Sequence, residues 1–403
     1  MSIRVMHVIN QLGYGGGSER QLLLNIRHLD KDKVTSFICQ LYPENVSQST
    51  HEASNELRRS GFQVLSLEYN GSKSSFAPAI IQLSRKIQTI KPDLIHTNLL
   101  LSDLIGLLAG WVTRTPVIVS LVNATYGPDW LKDNPHISSS KHRLFLLLYR
   151  FCVRHLAAHV IANSKAVRHN AMQHLGLSPA NVSVIYRSIV PKLERPGSDK
   201  INALRKELGL EGAYPVLLNV ARVVPHKGQS FLLQAVHRLR SDYPHIKLLI
   251  AGETNSQYNL ESLRNSLGLQ ENVLILGHRD DIWSLHHVAD LGVFASLYEG
   301  FSNAFAEACM SGLPCVVTDI GGFTEVADDG CNAIVVPPRS PEALEQGIRC
   351  LLGNQELARQ LGTQARQYVL THFTVEQNIA NLLAIYQAVA SRHKAAQRGG
   401  RAL

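Results

Sequence analysis

The feature that most constrains this chain is a strand–helix alternation that runs through it twice. In the first half, short apolar runs at 3–9, 36–41, 63–66, 94–96, 117–121, 159–162 and 182–186 are separated by amphipathic stretches at 19–29, 77–89, 102–111, 141–156 and 164–174. Short continuous apolar runs are strands buried on both faces, and stretches with apolar residues every three or four positions are helices. Strands joined through helices lie parallel, because parallel neighbours need a crossover. Residues 191–200, with Pro, Gly and charges, read as a linker. The alternation then restarts, with strands at 216–220, 247–251, 273–276, 291–294, 315–318 and 333–336. The helices between them fall at 229–241, 259–267, 282–287, 303–311 and 341–352. The expected fold class is therefore α/β, with two Rossmann-like domains at 1–190 and 191–374. A last helix at 375–393 precedes a basic tail that should fray.

Composition narrows the partners. Hydrophobic residues make up 45% and charged residues 18%, which excludes wholesale disorder. A net charge of +8 favours acidic partners: nucleic acid, an anionic membrane surface or phosphorylated small molecules. No nucleic-acid-binding module is recognisable and the positive charge is dispersed, so nucleic acid is not expected. The six cysteines, at 39, 152, 309, 315, 331 and 350, have neither C-x-x-C nor zinc-site spacing, and read as buried free thiols in a reducing compartment. The run 3–9 is short, is interrupted by Arg4 and His7, and reads as a strand rather than a signal. No apolar run approaches the roughly 20 residues of a membrane span. The expected location is cytoplasmic, and peripheral contact with the inner face of the membrane stays open.

Three segments carry candidate chemistry. Gly13-Tyr14-Gly15-Gly16-Gly17-Ser18-Glu19 joins the first strand to the first helix. Glycines there let backbone approach a ligand, and a helix N-terminus offers free N–H groups to an anion. A dinucleotide fingerprint needs Gly or Ala where Ser18 stands, which speaks against a nicotinamide-dependent oxidoreductase; a purely structural turn stays open. Arg222 and Lys227 follow the first strand of the second half, where two cations suit a diphosphate; a solvated loop is the competing reading. Glu299-Gly300-Phe301-Ser302-Asn303-Ala304-Phe305-Ala306-Glu307 follows the strand at 291–294. Ser302 suits a helix cap, and the N–H groups near Asn303 and Ala304 then form an anion cradle. Glu299 and Glu307, on either side of that cradle, suit hydroxyls of a sugar and a ribose. A core helix with one capping and one surface glutamate is the competing reading. Asp30-Lys31-Asp32 reads as a solvated turn, not a metal site. Without a metal, the leaving diphosphate must be stabilised by Arg222, Lys227 and backbone N–H groups.

Taken in order, these residues resemble family 4 of the retaining glycosyltransferases, which have the GT-B fold. The matching pieces span nearly the whole chain: the loop at 15–19, Pro92-Asp93-Leu94-Ile95-His96, Asn163-Ser164, Arg222 to Gly228, and 299–307 running on to Gly321, Gly322 and Glu325. The resemblance implies two facing Rossmann-like domains with the donor in the cleft and a C-terminal helix crossing back onto the first domain. It implies that Arg222 and Lys227 hold the donor diphosphate, Glu307 the ribose and Glu299 the donor sugar. Phe301, Ser302, Asn303 and Ala304 would line the pocket, and the segment with Gly277 and His278 would lie near the base. Gly15, Gly16 and Gly17 would approach the sugar or the acceptor. No cofactor is implied beyond the nucleotide-sugar, expected to be a UDP- or GDP-sugar.

Two departures stand out. Many relatives place a histidine just after the strand at 117–121, where this chain has Ser120-Leu121-Val122-Asn123-Ala124, leaving Asn123 as the hydrogen-bonding group. Many also carry Asn-Gly-x-Asp before the linker, where this chain has Arg187-Ser188-Ile189-Val190. The absent histidine keeps a catalytically silent sugar-nucleotide binder as an alternative. The stretch at 136–159, with Lys141, His142, Arg143, Arg150, Arg154 and His155 among leucines, reads either as a domain helix with a basic face or as a lipid-docking helix. The polar loop at 123–140, with Tyr126 and Trp130, would face the acceptor, expected to be a saccharide or a polyprenyl-linked saccharide.

Overall fold

The computed structural model describes residues 2–13, 16–122, 138–254 and 258–399. The chain divides into two units, Met1–Ser188 with Val375–Leu403, and Ile189–Thr374.

In the first unit the elements run β1 (Ile3–Ile9), α1 (Gly17–His28), β2 (Val34–Gln40), α2 (Gln48–Arg59), β3 (Gln63–Ser66), α3 (Phe76–Ile90), β4 (Leu94–Asn98), α4 (Leu100–Thr113), β5 (Val117–Leu121), α5 (Ser139–Leu156), β6 (Ala157–Ala162), α6 (Lys165–Leu175) and β7 (Val182–Val184). The strands form one parallel sheet in the order β3-β2-β1-β4-β5-β6-β7. Strands buried on both faces explain the unbroken apolar runs. A core that includes Val8, Leu83, Leu107, Val119 and Tyr149 seats α3, α4 and α5, while Leu22, Leu23, Ala53 and Leu57 seat α1 and α2.

The second unit runs α7 (Ser198–Glu207), β8 (Val216–Val220), α8 (Gln229–Leu239), β9 (Lys247–Ala251), α9 (Leu260–Ser266), β10 (Val273–Gly277), α10 (Ile282–Val288), β11 (Leu291–Phe294), α11 (Asn303–Ser311), β12 (Cys315–Thr318), β13 (Ile334–Val336), α12 (Pro341–Gly353) and α13 (Gln355–His372). Its parallel sheet has the order β10-β9-β8-β11-β12-β13. The stretch expected to be a linker at 191–200 is interrupted by α7, which starts at Ser198. Of the cysteines expected to be buried, Cys39, Cys152, Cys309 and Cys315 are, whereas Cys331 and Cys350 are exposed.

The last helix, α14 (Val375–Gly399), belongs to the first unit. Leu382, Tyr386, Val389 and Ala390 pack against Val5, Leu94 and Ile118 of the sheet. Tyr386 Oη lies 2.6 Å from His96 Nδ1, and Lys394 Nζ pairs with Asp93 at 2.8 Å. Within each unit the outgoing and returning chain are tied. Asn378 Nδ2 donates to Ser188 Oγ at 3.2 Å, and Ile189 N donates to the Phe373 carbonyl at 3.0 Å.

Candidate active site

Each sheet reverses its winding once, between β1 and β4 in the first unit and between β8 and β11 in the second. In open parallel sheets the crevice at such a reversal, outside the carboxyl ends of the strands, is where ligands bind. In the second unit the two loops leaving that point are residues 221–228 and 295–302, the segments that carry Arg222, Lys227 and Glu299.

The two loops are locked together by backbone. Leu297 N donates to the His226 carbonyl at 2.8 Å, and Asn219 Nδ2 to the Val293 carbonyl at 2.7 Å. Gly228 has φ +68, and a Cβ there would sit 1.9 Å from the Ala295 carbonyl oxygen, so only glycine fits. The rings of His226 and Tyr298 stack with centroids 4.9 Å apart.

On this frame Lys227 Nζ meets Glu299 Oε1 at 2.7 Å, with the two side chains 15% and 11% exposed. Ser296 Oγ donates to the same Oε1 at 2.8 Å. Thr318 Oγ1, from the end of β12, donates to the Ser296 carbonyl at 2.6 Å and fixes the loop from beneath. Glu299 Oε2 takes no hydrogen bond among the described residues. Burial alone would raise the Glu299 pKa. The Lys227 charge and the hydrogen bonds from Lys227 and Ser296 outweigh it and hold the carboxyl below its ordinary value, so it is ionised at neutral pH. Behind Glu299, Gly322 lies so close that a Cβ on it would come 2.6 Å from Glu299 Cβ and 2.7 Å from its carbonyl oxygen.

Helix α11 starts beside this pair. Ser302 caps it, accepting from Phe305 N at 3.4 Å, as the sequence suggested. The N–H groups of its first turn are left for an anion. Asn303 Oδ1 is buried and has no partner among the described residues. Asn303 and Glu307 lie four residues apart, on one face of α11. Ala304 is half-buried in the same first turn. Phe301 is 4% exposed, its ring 5.4 Å from that of Phe373, so its side chain serves the core.

Other sequence-selected residues are more dispersed. Arg222 is exposed, and its carbonyl accepts from Gln229 Nε2 at 2.9 Å. Gly277, with φ +67, ends β10 at the sheet edge, and His278 beside it is exposed with Nε2 3.2 Å from Asp280 Oδ1. Gly16 is the N-cap of α1 and Gly17 its first residue. Gly15 and Asn123, with Tyr126 and Trp130, lie outside the described residues. Asp30 accepts from Asp32 N and pairs with Lys33, as a surface turn does. Among the described residues no group of three or more His, Cys, Asp and Glu is placed to hold a metal.

Sequence reasoning missed Arg187. Its Nη2 donates to Ser18 Oγ at 3.2 Å, and a Cβ on Gly17 would lie 2.3 Å from its Nη1. The position drew notice only as a departure from Asn-Gly-x-Asp; nothing in the local pattern links it to α1. At the reversal of the first sheet, Leu99 adopts φ +81, a strained value for a non-glycine residue. The neighbouring Asn98 Nδ2 is buried without a partner among the described residues. Strain and an unpaired polar atom at a strand's carboxyl end mark a second place fit for a ligand.

Two parallel-sheet units, each with a winding reversal, define the class as a two-domain Rossmann-like α/β protein. Comparison with known proteins fixes the family. The model "Glycosyltransferase Family 4" matches residues 15–193, and "Glycosyl transferases group 1" matches residues 200–368. The chain belongs to glycosyltransferase family 4. It is 25% identical over 333 residues to the D-inositol 3-phosphate glycosyltransferase of Corynebacterium glutamicum, covering 79% of this chain and 78% of that one. It is 26% identical over 236 residues to a Campylobacter jejuni N-acetylgalactosaminyltransferase named for a diphospho-undecaprenol-linked acceptor, covering 58% of this chain and 62% of that one. The crystal structure of Anabaena HepE with UDP and glucose superposes with a TM-score of 0.81 at 22% identity, over 96% of this chain and 100% of that one.

Proposed function

We propose that the protein transfers a hexose-type sugar, with retention, from a UDP- or GDP-sugar to a saccharide or lipid-linked saccharide, without a metal ion. The observation that carries this reading is the meeting of Lys227 and Glu299 at the winding reversal, beside the capped start of α11. Lys227 and Arg222 hold the diphosphate, and the N–H groups at Asn303 and Ala304 share its charge. Glu307 binds ribose hydroxyls, and Oε2 of Glu299 accepts from a hydroxyl of the sugar. Gly277 and His278 flank the base. Gly15, Gly16, Gly17 and Asn123 serve the sugar or acceptor side. In transfer the bond from the anomeric carbon to the phosphate oxygen breaks while the acceptor oxygen bonds on the same face, and the acceptor's proton passes to the leaving phosphate. HepE was solved with UDP and glucose, which favours a uridine donor, and the Campylobacter relative's name favours a polyprenyl-linked acceptor. The enzyme then works in the cytoplasm at the inner face of the membrane.

Nucleotide-sugars screened by thermal shift identify the donor, since a ligand of the native state raises the apparent melting temperature. Lys227→Ala and Glu307→Ala are expected to lower transfer 10²-fold or more by loss of charge stabilisation and binding, roughly. Near-normal turnover in both variants would remove the site from this position. Chelator is expected to leave the rate unchanged; activity lost to chelator and restored by metal would overturn the metal-free reading. A donor that stabilises the protein while no acceptor is glycosylated would leave a silent binder.

A further inference from the structure

Helix α5 carries an apolar row that no core among the described residues uses. Leu144, Leu147, Leu148 and Phe151 are 71%, 57%, 51% and 59% exposed. At the helical advance of about 100° per residue they fall within an arc of about 100°. That arc points away from the one that buries Tyr149, Cys152 and Val153 in the core. Arg143, Arg150 and Arg154 are also exposed and line one edge of the row. The surroundings share this charge. Between Asp133 and Glu194 the sequence holds no Asp or Glu and eight Lys or Arg. Helix α6, packed beside α5, presents Lys165 and His169 as exposed residues.

An exposed apolar row edged by arginines fits a surface that is apolar within and anionic at its rim. A second copy of the chain fits poorly, because a two-fold contact on this face would gather the arginines of both copies with no carboxylate on α5 or α6 to offset them. A bilayer of anionic lipid satisfies both parts, taking the leucines and phenylalanine among acyl chains and the arginines on headgroup phosphates.

We propose that α5 docks the protein on an anionic bilayer, with Leu144, Leu147, Leu148 and Phe151 as the inserted row and Arg143, Arg150 and Arg154 as its headgroup contacts. The inference rests on the glycosyltransferase reading only for its purpose, the delivery of a lipid-linked acceptor. The docking itself is read from α5. Among the described residues no helix is long and apolar enough to cross a membrane, so the contact is interfacial.

The test is co-sedimentation with phosphatidylcholine vesicles made with and without phosphatidylglycerol, at rising salt. Binding is expected only where phosphatidylglycerol is present, and to weaken with salt. A basic residue near such a surface is worth roughly fivefold in partitioning. The doubles Leu147→Asp/Leu148→Asp and Arg143→Glu/Arg154→Glu should each reduce binding by about tenfold or more. Both variants should keep the wild-type melting temperature and its rise with nucleotide-sugar, because the positions are exposed. Equal binding to both vesicles, binding to neither, or a dimer in ultracentrifugation that the leucine double dissociates would overturn the proposal. Vesicle binding without any sugar transfer supports it and defeats the enzyme reading. Transfer to a soluble saccharide without vesicle binding does the reverse.

Discussion

Glu299 receives two donors on one carboxylate oxygen and none on the other among the described residues. That asymmetry makes Ser296 a positioning residue, because it helps hold Oε1 so that Oε2 stays available. A hydrogen bond to a charged group contributes about 1.5–3 kcal/mol. Ser296→Ala is expected to lower kcat/KM about tenfold with little change in the affinity for the free nucleotide, since the hydroxyl bonds to Glu299. An unchanged kcat/KM would show that Lys227 alone sets the carboxylate. Gly322→Ala should be harsher. Its Cβ collides with Glu299 backbone, which cannot swing aside like a side-chain tip. Overpacking of this kind costs about 1–3 kcal/mol, read as a lowered urea midpoint alongside lost transfer. Lys227, Glu299 and Ser302 were legible in the sequence because each sits at a fixed offset from an apolar strand or a helix start. Ser296 and Arg187 were not, and Gly322 was marked by the resemblance alone, without its role behind Glu299. Their roles come from contacts between loops that no local spacing encodes.

Among the elements, α14 is held by a buried polar cluster as well as by apolar packing. His96 sits between Tyr386 Oη on Nδ1 and Ser120 Oγ at 2.7 Å on Nε2, with the His7 ring 5.8 Å away. Burial holds both histidines neutral: His96 is lowered to about 4 and His7 well below its usual value, the latter also through His96. A histidine whose folded pKa is depressed binds protons more readily when unfolded. Its contribution is therefore kept above the ordinary value near 6.5 and lost as pH falls toward 4. Asp103 works in the opposite sense. Burial raises it to about 7 against the hydrogen bonds from Thr97 and Tyr149, so acidification below 7 favours the folded state there. His7 and His96, joined by the lowered His159, outnumber it. Melting temperature should fall between pH 6.5 and 4, and His96→Asn should flatten that slope; an unchanged slope would remove His96 from the cause. Tyr386→Phe should cost about 1–3 kcal/mol at neutral pH by stripping a buried partner.

Strong apolar runs made every strand legible to within a few residues, whereas α2, α7 and α13 were not anticipated. Helix α2 buries Thr50, Ala53, Ser54 and Leu57, α7 only Leu204, and α13 a row rich in Ala and Gly. Faces built from small or polar residues give the helical period too little contrast to be seen.

For the whole molecule, the decisive fact is that the first unit contains both ends of the chain and the second is contiguous. A chain ending at Thr374 would leave Val5, Leu94 and Ile118 without the helix that covers them. Its first unit is expected to aggregate while the second keeps a cooperative melting transition; two intact calorimetric transitions would contradict this. The two-domain pattern was legible because the strand–helix rhythm stops and restarts. The ownership of α14 came from resemblance alone, since an amphipathic helix does not announce which sheet it covers.

This ownership sets the order of events on the ribosome. Residues 3–184 hold every strand of the first sheet but cannot cover one of its faces until α14 emerges, while the second unit has all its residues sooner. At about 5–20 residues per second, the interval between completing Ser188 and completing α14 at Gly399 is roughly ten to forty seconds. For that time the half made first waits, one face of its sheet uncovered, in the care of whatever chaperone meets the nascent chain.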